Sequence, residues 1–242
     1  MMQQKVALVI GAGDATGGAI ARRFAREGYF ACVTRRSADK LQPLVERIIA
    51  DGGQARGFAS DARREEAMVA LIDEIERDIG PIGVMVFNIG GNVRFPIRDT
   101  TTRVFSKVWE MCCLAGFLAG REAARVMVPR GQGTMLFTGA TASLRGSKGY
   151  AAFAAGKAGL RAVAQSCARE LGPLGIHVAH VVIDGAIDTD FIRTVAPQKY
   201  ATKDQDGILN PDDIAEAYWG LHCQKRTAWT QEMDLRPWSE SW

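Results

Sequence analysis

The 242-residue chain has little net charge, few cysteines, only three histidines and no long apolar run, and each shortage closes off a class of function. Thirty basic residues stand against 27 acidic ones, for a formal charge of +3. An excess that small and that scattered gives no footprint for a nucleic acid or an anionic membrane surface. The first apolar run, Val6 to Ile10, is shorter than a signal-peptide core and far shorter than a bilayer span, so neither secretion nor a membrane partner is expected. Cys32, Cys112, Cys113, Cys167 and Cys223 are odd in number and include no CxxC spacing. They suit free thiols in a cytoplasmic protein rather than a disulfide framework or a zinc site. His177 and His180 lie three apart in a strand-like run, which sends them to opposite faces, and no metal site is expected.

What is present is globular: 47% hydrophobic residues, 24% charged and 26 glycines. The length suits one domain over residues 1–242 and falls short of two well-developed α/β domains. Its expected partner is a small molecule. Strand-like runs at Val6–Ile10, Phe30–Thr34, Gly57–Ala59, Val84–Asn88, Thr134–Thr138 and His177–Ile183 alternate with helical stretches at 17–27, 38–51, 63–79, 100–129, 151–171 and 211–223. Ala228 to Trp238 supplies a seventh strand. The alternation predicts a single doubly wound, Rossmann-type α/β domain of three layers around a seven-stranded, mainly parallel sheet. Gly28, Gly52, Gly80 and Gly172 stand where helices should end. The weakly periodic stretch from Thr189 to Asn210 reads as a mobile lid.

Gly11-Ala12-Gly13-Asp14-Ala15-Thr16-Gly17-Gly18 follows the first strand and opens the first helix. Glycines there let a diphosphate approach the backbone, and the helix N-terminus offers it N–H groups and a favourable dipole; the alternative is a plain tight turn. Strand two ends in Arg35-Arg36, where NAD-binding folds often carry a carboxylate for the ribose 2′-hydroxyl. Two guanidinium groups suit a 2′-phosphate instead, so NADP(H) is the expected cofactor. Asp14 opposes that charge preference, and a solvated arginine pair is the plainer alternative.

With Asp61 after strand three, Asn88-Ile89-Gly90 after strand four, Lys157 in a long helix and Asp184-Gly185-Ala186-Ile187-Asp188-Thr189 after strand six, the chain resembles the short-chain dehydrogenase/reductase superfamily over nearly its whole length. The resemblance implies that Gly11, Asp14, Thr16 and Gly17 form the cofactor turn and that Asp61 and Ala62 meet the adenine. It further implies that Asn88 and Gly90 lie beside a ribose, that Gly185, Ile187 and Thr189 flank the nicotinamide, and that Lys157 bonds its ribose. A homodimer or homotetramer joined through the long fourth and fifth helices is implied as well, the latter rich in Ala151, Ala152, Ala154, Ala155, Gly156, Ala158, Gly159 and Ala162, which could instead pack within the subunit. Two departures are Ala15, where a second glycine is common, and Asp184, where proline is usual.

The usual catalytic Asn, Ser and Tyr of the common branch are replaced here by Cys113, Ala140 and Phe153, and a phenyl ring has no proton to give. One reading turns to Tyr150. Seven residues ahead of Lys157, it returns to nearly the same helix face about 10 Å away. That Tyr-x6-Lys spacing resembles the divergent, enoyl-acyl-carrier-protein reductase branch, although Ala140 stands where that branch has a further tyrosine. Tyr150 and Lys157 would then serve hydride transfer to or from an apolar carbonyl or α,β-unsaturated substrate. A packed aromatic at the helix start is the alternative for Tyr150. Thr138, Thr141 and Ser143 are candidates for the missing serine or plain strand-end hydrogen bonders, and Cys112 and Cys113 invite a thiolate reading but more often act as small buried hydrophobes. The second reading is a non-catalytic NADP(H)-binding sensor or scaffold. Trp219, Trp229, Trp238 and Trp242 suggest a substrate-pocket wall or a subunit contact.

Overall fold

The computed structural model describes residues 4–241, so Trp242 lies outside the described residues. The strands are β1 (Val6–Ile10), β2 (Phe30–Arg35), β3 (Gln54–Ala59), β4 (Ile82–Phe87), β5 (Gly133–Thr138), β6 (Ile176–Ile183) and β7 (Glu232–Leu235). They form one sheet in the order β3-β2-β1-β4-β5-β6-β7, and every pairing is parallel. The helices are α1 (Thr16–Arg26), α2 (Gln42–Ala50), α3 (Glu65–Asp78), α4 (Thr102–Trp109), α5 (Ala115–Met127), α6 (Ala151–Leu171), α7 (Asp190–Val195), α8 (Pro197–Tyr200) and α9 (Pro211–His222).

Because helices cover both faces, the central strands are almost wholly buried, and β1 is apolar at every position from Val6 to Ile10. Val6, Leu8 and Ile10 face the layer that supplies Leu71 and Ile72 of α3, Leu118 of α5 and Leu160 of α6. Ala7 and Val9 face the other, which supplies Ile20 and Phe24 of α1, Ile48 of α2 and Tyr218 of α9. Two hydrophobic layers thus sandwich the expected doubly wound sheet.

Several boundaries differ from expectation, among them the seventh strand, which runs only from Glu232 to Leu235. The 100–129 helix is broken by a π turn at Glu110–Leu114, between α4 and α5. Strand three begins earlier, at Gln54, because it is the half-exposed edge and carries polar residues. The chain leaves α6 in left-handed conformation at Gly175 (φ 86°), not at Gly172, since Gly172–Leu174 adds one 3-10 turn. The expected lid contains α7 and α8, and Ile187 bridges to Leu209 across it.

Candidate active site

The strand order reverses between β1 and β4, and a cavity of about 910 Å³ opens there beyond the carboxyl ends of the strands. Gly11 is left-handed (φ 88°), and a Cβ on it would lie 2.8 Å from the Asn88 carbonyl oxygen. On Gly17 a Cβ would lie 2.5 Å from the Gly11 oxygen. The turn is therefore closed to any side chain at either position. Asn88 Nδ2 donates to the Gly11 oxygen at 3.1 Å and ties β4 to the turn. The first turn of α1 has no capping side chain and no acidic residue, which leaves its N–H groups and positive dipole end for an anion.

A second, smaller cleft of about 170 Å³ shares Gly11, Ile89 and Gly90 with the first and continues past Arg35, Arg36, Asp61, Ala62 and Arg63. Arg35 Nη1 donates to the Lys40 carbonyl at 3.3 Å and sits 3.5 Å from Asp14 Oδ1, so the charge opposition anticipated from Asp14 falls on Arg35. Asp61 is gripped by Arg63 through two parallel bonds of 2.9 and 2.6 Å, which hold its carboxyl below the usual carboxylate range. Arg63 was not anticipated; the Asp-x-Arg spacing is the only sign of it in the sequence.

At the other end, Lys157 is buried, and its Nζ donates to the carbonyl oxygens of Thr138 at 2.7 Å and Ile89 at 3.0 Å. Burial pushes its pKa down. Those two bonds leave one ammonium proton for a ligand. Tyr150 precedes α6 rather than lying within it, but its carbonyl accepts from Ala154 N at 2.8 Å, so the helical ladder begins on it. Tyr150, Phe153 and Lys157 line the same cavity. So do Gly11, Asp14, Thr16, Gly17, Asn88, Gly90, Gly185, Ile187 and Thr189, while Arg35, Arg36, Asp61 and Ala62 line the smaller cleft. Thr189 also spends its hydroxyl oxygen as the cap of α7, accepting from Ile192 N at 3.1 Å. Ser147 and Phe191, which no motif marked, line the cavity alongside Ala140 and Ala142.

A family model described as short chain dehydrogenase matches residues 5–200. The chain belongs to this family. Sorbitol-6-phosphate 2-dehydrogenase of Escherichia coli K12 is 29% identical over 217 residues, which cover 88% of this chain and 82% of that protein. The 3-oxoacyl-[acyl-carrier-protein] reductase MabA of Mycobacterium avium is 32% identical over 189 residues, 78% of this chain and 69% of that one. A solved short-chain dehydrogenase from Rhodopseudomonas palustris is 48% identical with a TM-score of 0.82, covering 97% of this chain and 99% of that one. A metagenomic short-chain oxidoreductase solved in complex with NADP is 26% identical with a TM-score of 0.81, covering 97% of both.

The hydroxyls named as stand-ins for the missing serine are engaged within the chain. Thr138 Oγ1 is buried against the Tyr218 hydroxyl at 2.8 Å, and Ser143 Oγ accepts from Ala140 N at 3.1 Å. Thr141 Oγ1 donates to Asp184 Oδ1. Burial pushes the thiols of Cys112 and Cys113 up, against the thiolate reading. The described tryptophans do not wall the cavity either: Trp219 packs edge-on against Phe24, Trp229 stacks on His177 at 4.9 Å, and exposed Trp238 donates to the Gln205 carbonyl.

Proposed function

We propose that this chain is an NADP(H)-dependent oxidoreductase that moves a hydride between the nicotinamide and an apolar carbonyl or α,β-unsaturated substrate. The observation that carries this reading is the junction of the two clefts at Gly11, Ile89 and Gly90. Together they offer one continuous bed, with the uncapped N-terminus of α1 at its middle, the arginine pair at one end and Lys157 at the other. The metagenomic relative solved with NADP supports the choice of nucleotide. In this reading Gly11, Gly17 and the α1 N-terminus hold the diphosphate, and Arg35 and Arg36 hold the 2′-phosphate. Lys157 bonds the nicotinamide ribose with its remaining proton.

Nicotinamide supplies or takes the hydride when bound. The chain itself lines the cavity with the apolar side chains of Ala140, Ala142, Phe153, Ile187 and Phe191, which suits an apolar substrate. Tyr150 brings the phenol to this cavity and polarises the substrate oxygen. Assembly as a homodimer or homotetramer fits the exposed aromatic stripe Phe105, Trp109 and Phe117 on α4 and α5. Ala158 and Ala162 are the exposed part of the α6 small-residue stripe, whereas Gly156 and Gly159 pack inside the subunit.

The deciding experiment offers NADPH with a panel of aldehydes, ketones, quinones and enoyl thioesters and follows nucleotide absorbance. Turnover that Tyr150→Phe lowers at least tenfold supports the phenol; turnover unchanged by it removes Tyr150 from the chemistry. Phe153, Ala140 and Cys113 favour a second reading, a dinucleotide-binding sensor. Tight NADPH binding without turnover on any substrate, in either direction, would select it.

A further inference from the structure

Asp184 closes β6 with its side chain 3% exposed. Its backbone N–H donates to the Leu235 carbonyl at 2.8 Å, which fixes it against β7. One carboxylate oxygen, Oδ1, accepts the hydroxyl of Thr141. The other, Oδ2, makes no hydrogen bond among the described residues. Two guanidinium groups supply its countercharge: Arg145 Nη2 lies 3.8 Å from Oδ2 and Arg236 Nη2 lies 3.7 Å from it. Arg236 also pairs with Asp234 of β7. Beyond Gly185 stands Glu240, itself paired with Lys199 at 2.9 Å.

Thr141 lines the large cavity, whereas Asp184 lies behind it. A threonine hydroxyl owns one proton, and Thr141 spends it on Asp184. Toward the cavity the oxygen therefore presents lone pairs alone. Such a group cannot bond a carbonyl oxygen, which has no proton, but it accepts from a hydroxyl. A buried carboxylate directly behind it can take the proton that the hydroxyl gives up.

We propose that Thr141 accepts the hydroxyl proton of a secondary alcohol substrate and that Asp184 is the positioning residue that receives the proton passed on. This rests on the NADP(H)-linked reading above and names the reduced substrate of that site. The substrate O–H bond breaks as its proton passes to Thr141 Oγ1, and Thr141's own proton passes to Asp184 Oδ1. The electron pair of the carbinol C–H bond leaves with its hydrogen as hydride for NADP⁺, and the C=O double bond forms. The alcohol is oxidised, NADP⁺ is reduced, and Asp184 then returns one proton to solvent. An alcohol oxygen can donate to Thr141 while accepting from Tyr150, so the two groups read the alcohol together. In the reverse direction the proton returns from Asp184 through Thr141 to the forming alcohol oxygen.

The test uses the full chain with NADP⁺ and a panel of apolar secondary alcohols. Wild type is expected to oxidise at least one of them, with kcat rising along a single ionisation limb as pH increases. Asp184→Asn keeps the shape and an acceptor oxygen. It is expected to lower kcat at least 100-fold and to erase that limb, with fluorescence-measured NADP⁺ affinity unchanged within twofold. Thr141→Val should match that loss and Thr141→Ser should restore kcat to within about threefold of wild type; this pair carries the test if Asp184→Asn does not fold. A folded Asp184→Asn or Thr141→Val with wild-type kcat and pH profile would reduce the pair to a brace between loops. Carbonyl reduction by NADPH with no alcohol oxidised would end this proposal and leave the dinucleotide reading standing. No binding of either nucleotide would end both.

Discussion

Gly159 of α6 faces Cys113 of the π turn so closely that a Cβ on the glycine would lie 2.8 Å from Cys113 Sγ. The same contact recurs one turn earlier, where a Cβ on Gly156 would lie 2.7 Å from Cys112 Cβ. Two glycines on α6 thus accommodate the widened π turn, and the pairing explains why the helix can carry an extra residue there without a void. Gly159→Ala should cost about 1–3 kcal/mol by overpacking, offset by roughly 1 kcal/mol of gained helix propensity. Cys113→Ala in the same chain removes the sulfur and should recover most of the loss. Urea unfolding of the single and double variants measures the coupling, and additive effects would place the strain elsewhere.

Lys157 is costly where it stands, because burial opposes its charge and only two neutral carbonyls answer it. Lys157→Met should therefore leave stability at neutral pH unchanged within about 1 kcal/mol, or raise it, as happens when other buried charges are replaced by apolar groups. Turnover should fall at least 100-fold in the same variant. The lowered pKa also has a sign: below the ordinary lysine value of 10.5 the unfolded chain binds the extra proton, so wild-type stability rises with pH toward that value. Lys157→Met should lose this rise. A large drop in melting temperature at neutral pH would show that the ammonium stabilises the fold.

Much of this was legible in the sequence because it depends on local pattern. The apolar runs of β1 and β4 announce a parallel sheet covered on both faces, and the Gly11–Gly18 turn announces the crevice. The π turn was not legible, since its extra residue is permitted by glycines of α6 about 45 residues away in sequence, not by anything within 110–114. Gly172 and Gly175 look alike as helix ends, and only the added 3-10 turn separates them. Thr141 lies 43 residues from Asp184, so the hydroxyl's engagement is a product of tertiary pairing. In the π turn and at Thr141 a contact between distant segments overrode a sound local inference.

Acid should destabilise the fold through two buried histidines. His180 is fully buried, its Nδ1 donates to Glu232 at 3.0 Å, and burial lowers its pKa to about 4. His222, between the hydroxyls of Tyr29 at 2.7 Å and Thr134 at 2.9 Å, is likewise lowered to about 4 by burial. Both titrate near 6.5 when unfolded, so the unfolded chain binds more protons between about pH 6.5 and 4. Stability contributed by their neutral forms is present above that window and lost as pH falls through it, up to about 3 kcal/mol for His180. Melting temperature should drop across this range, and His180→Gln should flatten the slope. An unchanged slope in a folded His180→Gln would show that other groups drive the acid transition.

In the proposed NADP(H) reading the arginine pair selects the nucleotide, and its members should not contribute equally. Arg35 is already engaged by the Lys40 carbonyl and lies near Asp14, which pulls its charge away from an incoming phosphate. Arg36 lines the smaller cleft beside Asp61, whose carboxylate is occupied by Arg63. Arg36→Ala should therefore weaken NADPH binding more than Arg35→Ala, by the ~1.5–3 kcal/mol of a charged hydrogen bond, and leave NADH within a few tenths. Asp14→Asn should strengthen NADPH binding by freeing Arg35, again without effect on NADH. Calorimetric titration of the three variants with both nucleotides gives six differences from wild type. Equal losses for NADPH and NADH in Arg36→Ala would mean that the guanidinium reads the adenosine rather than a 2′-phosphate, and the preference for NADP(H) would fall with it.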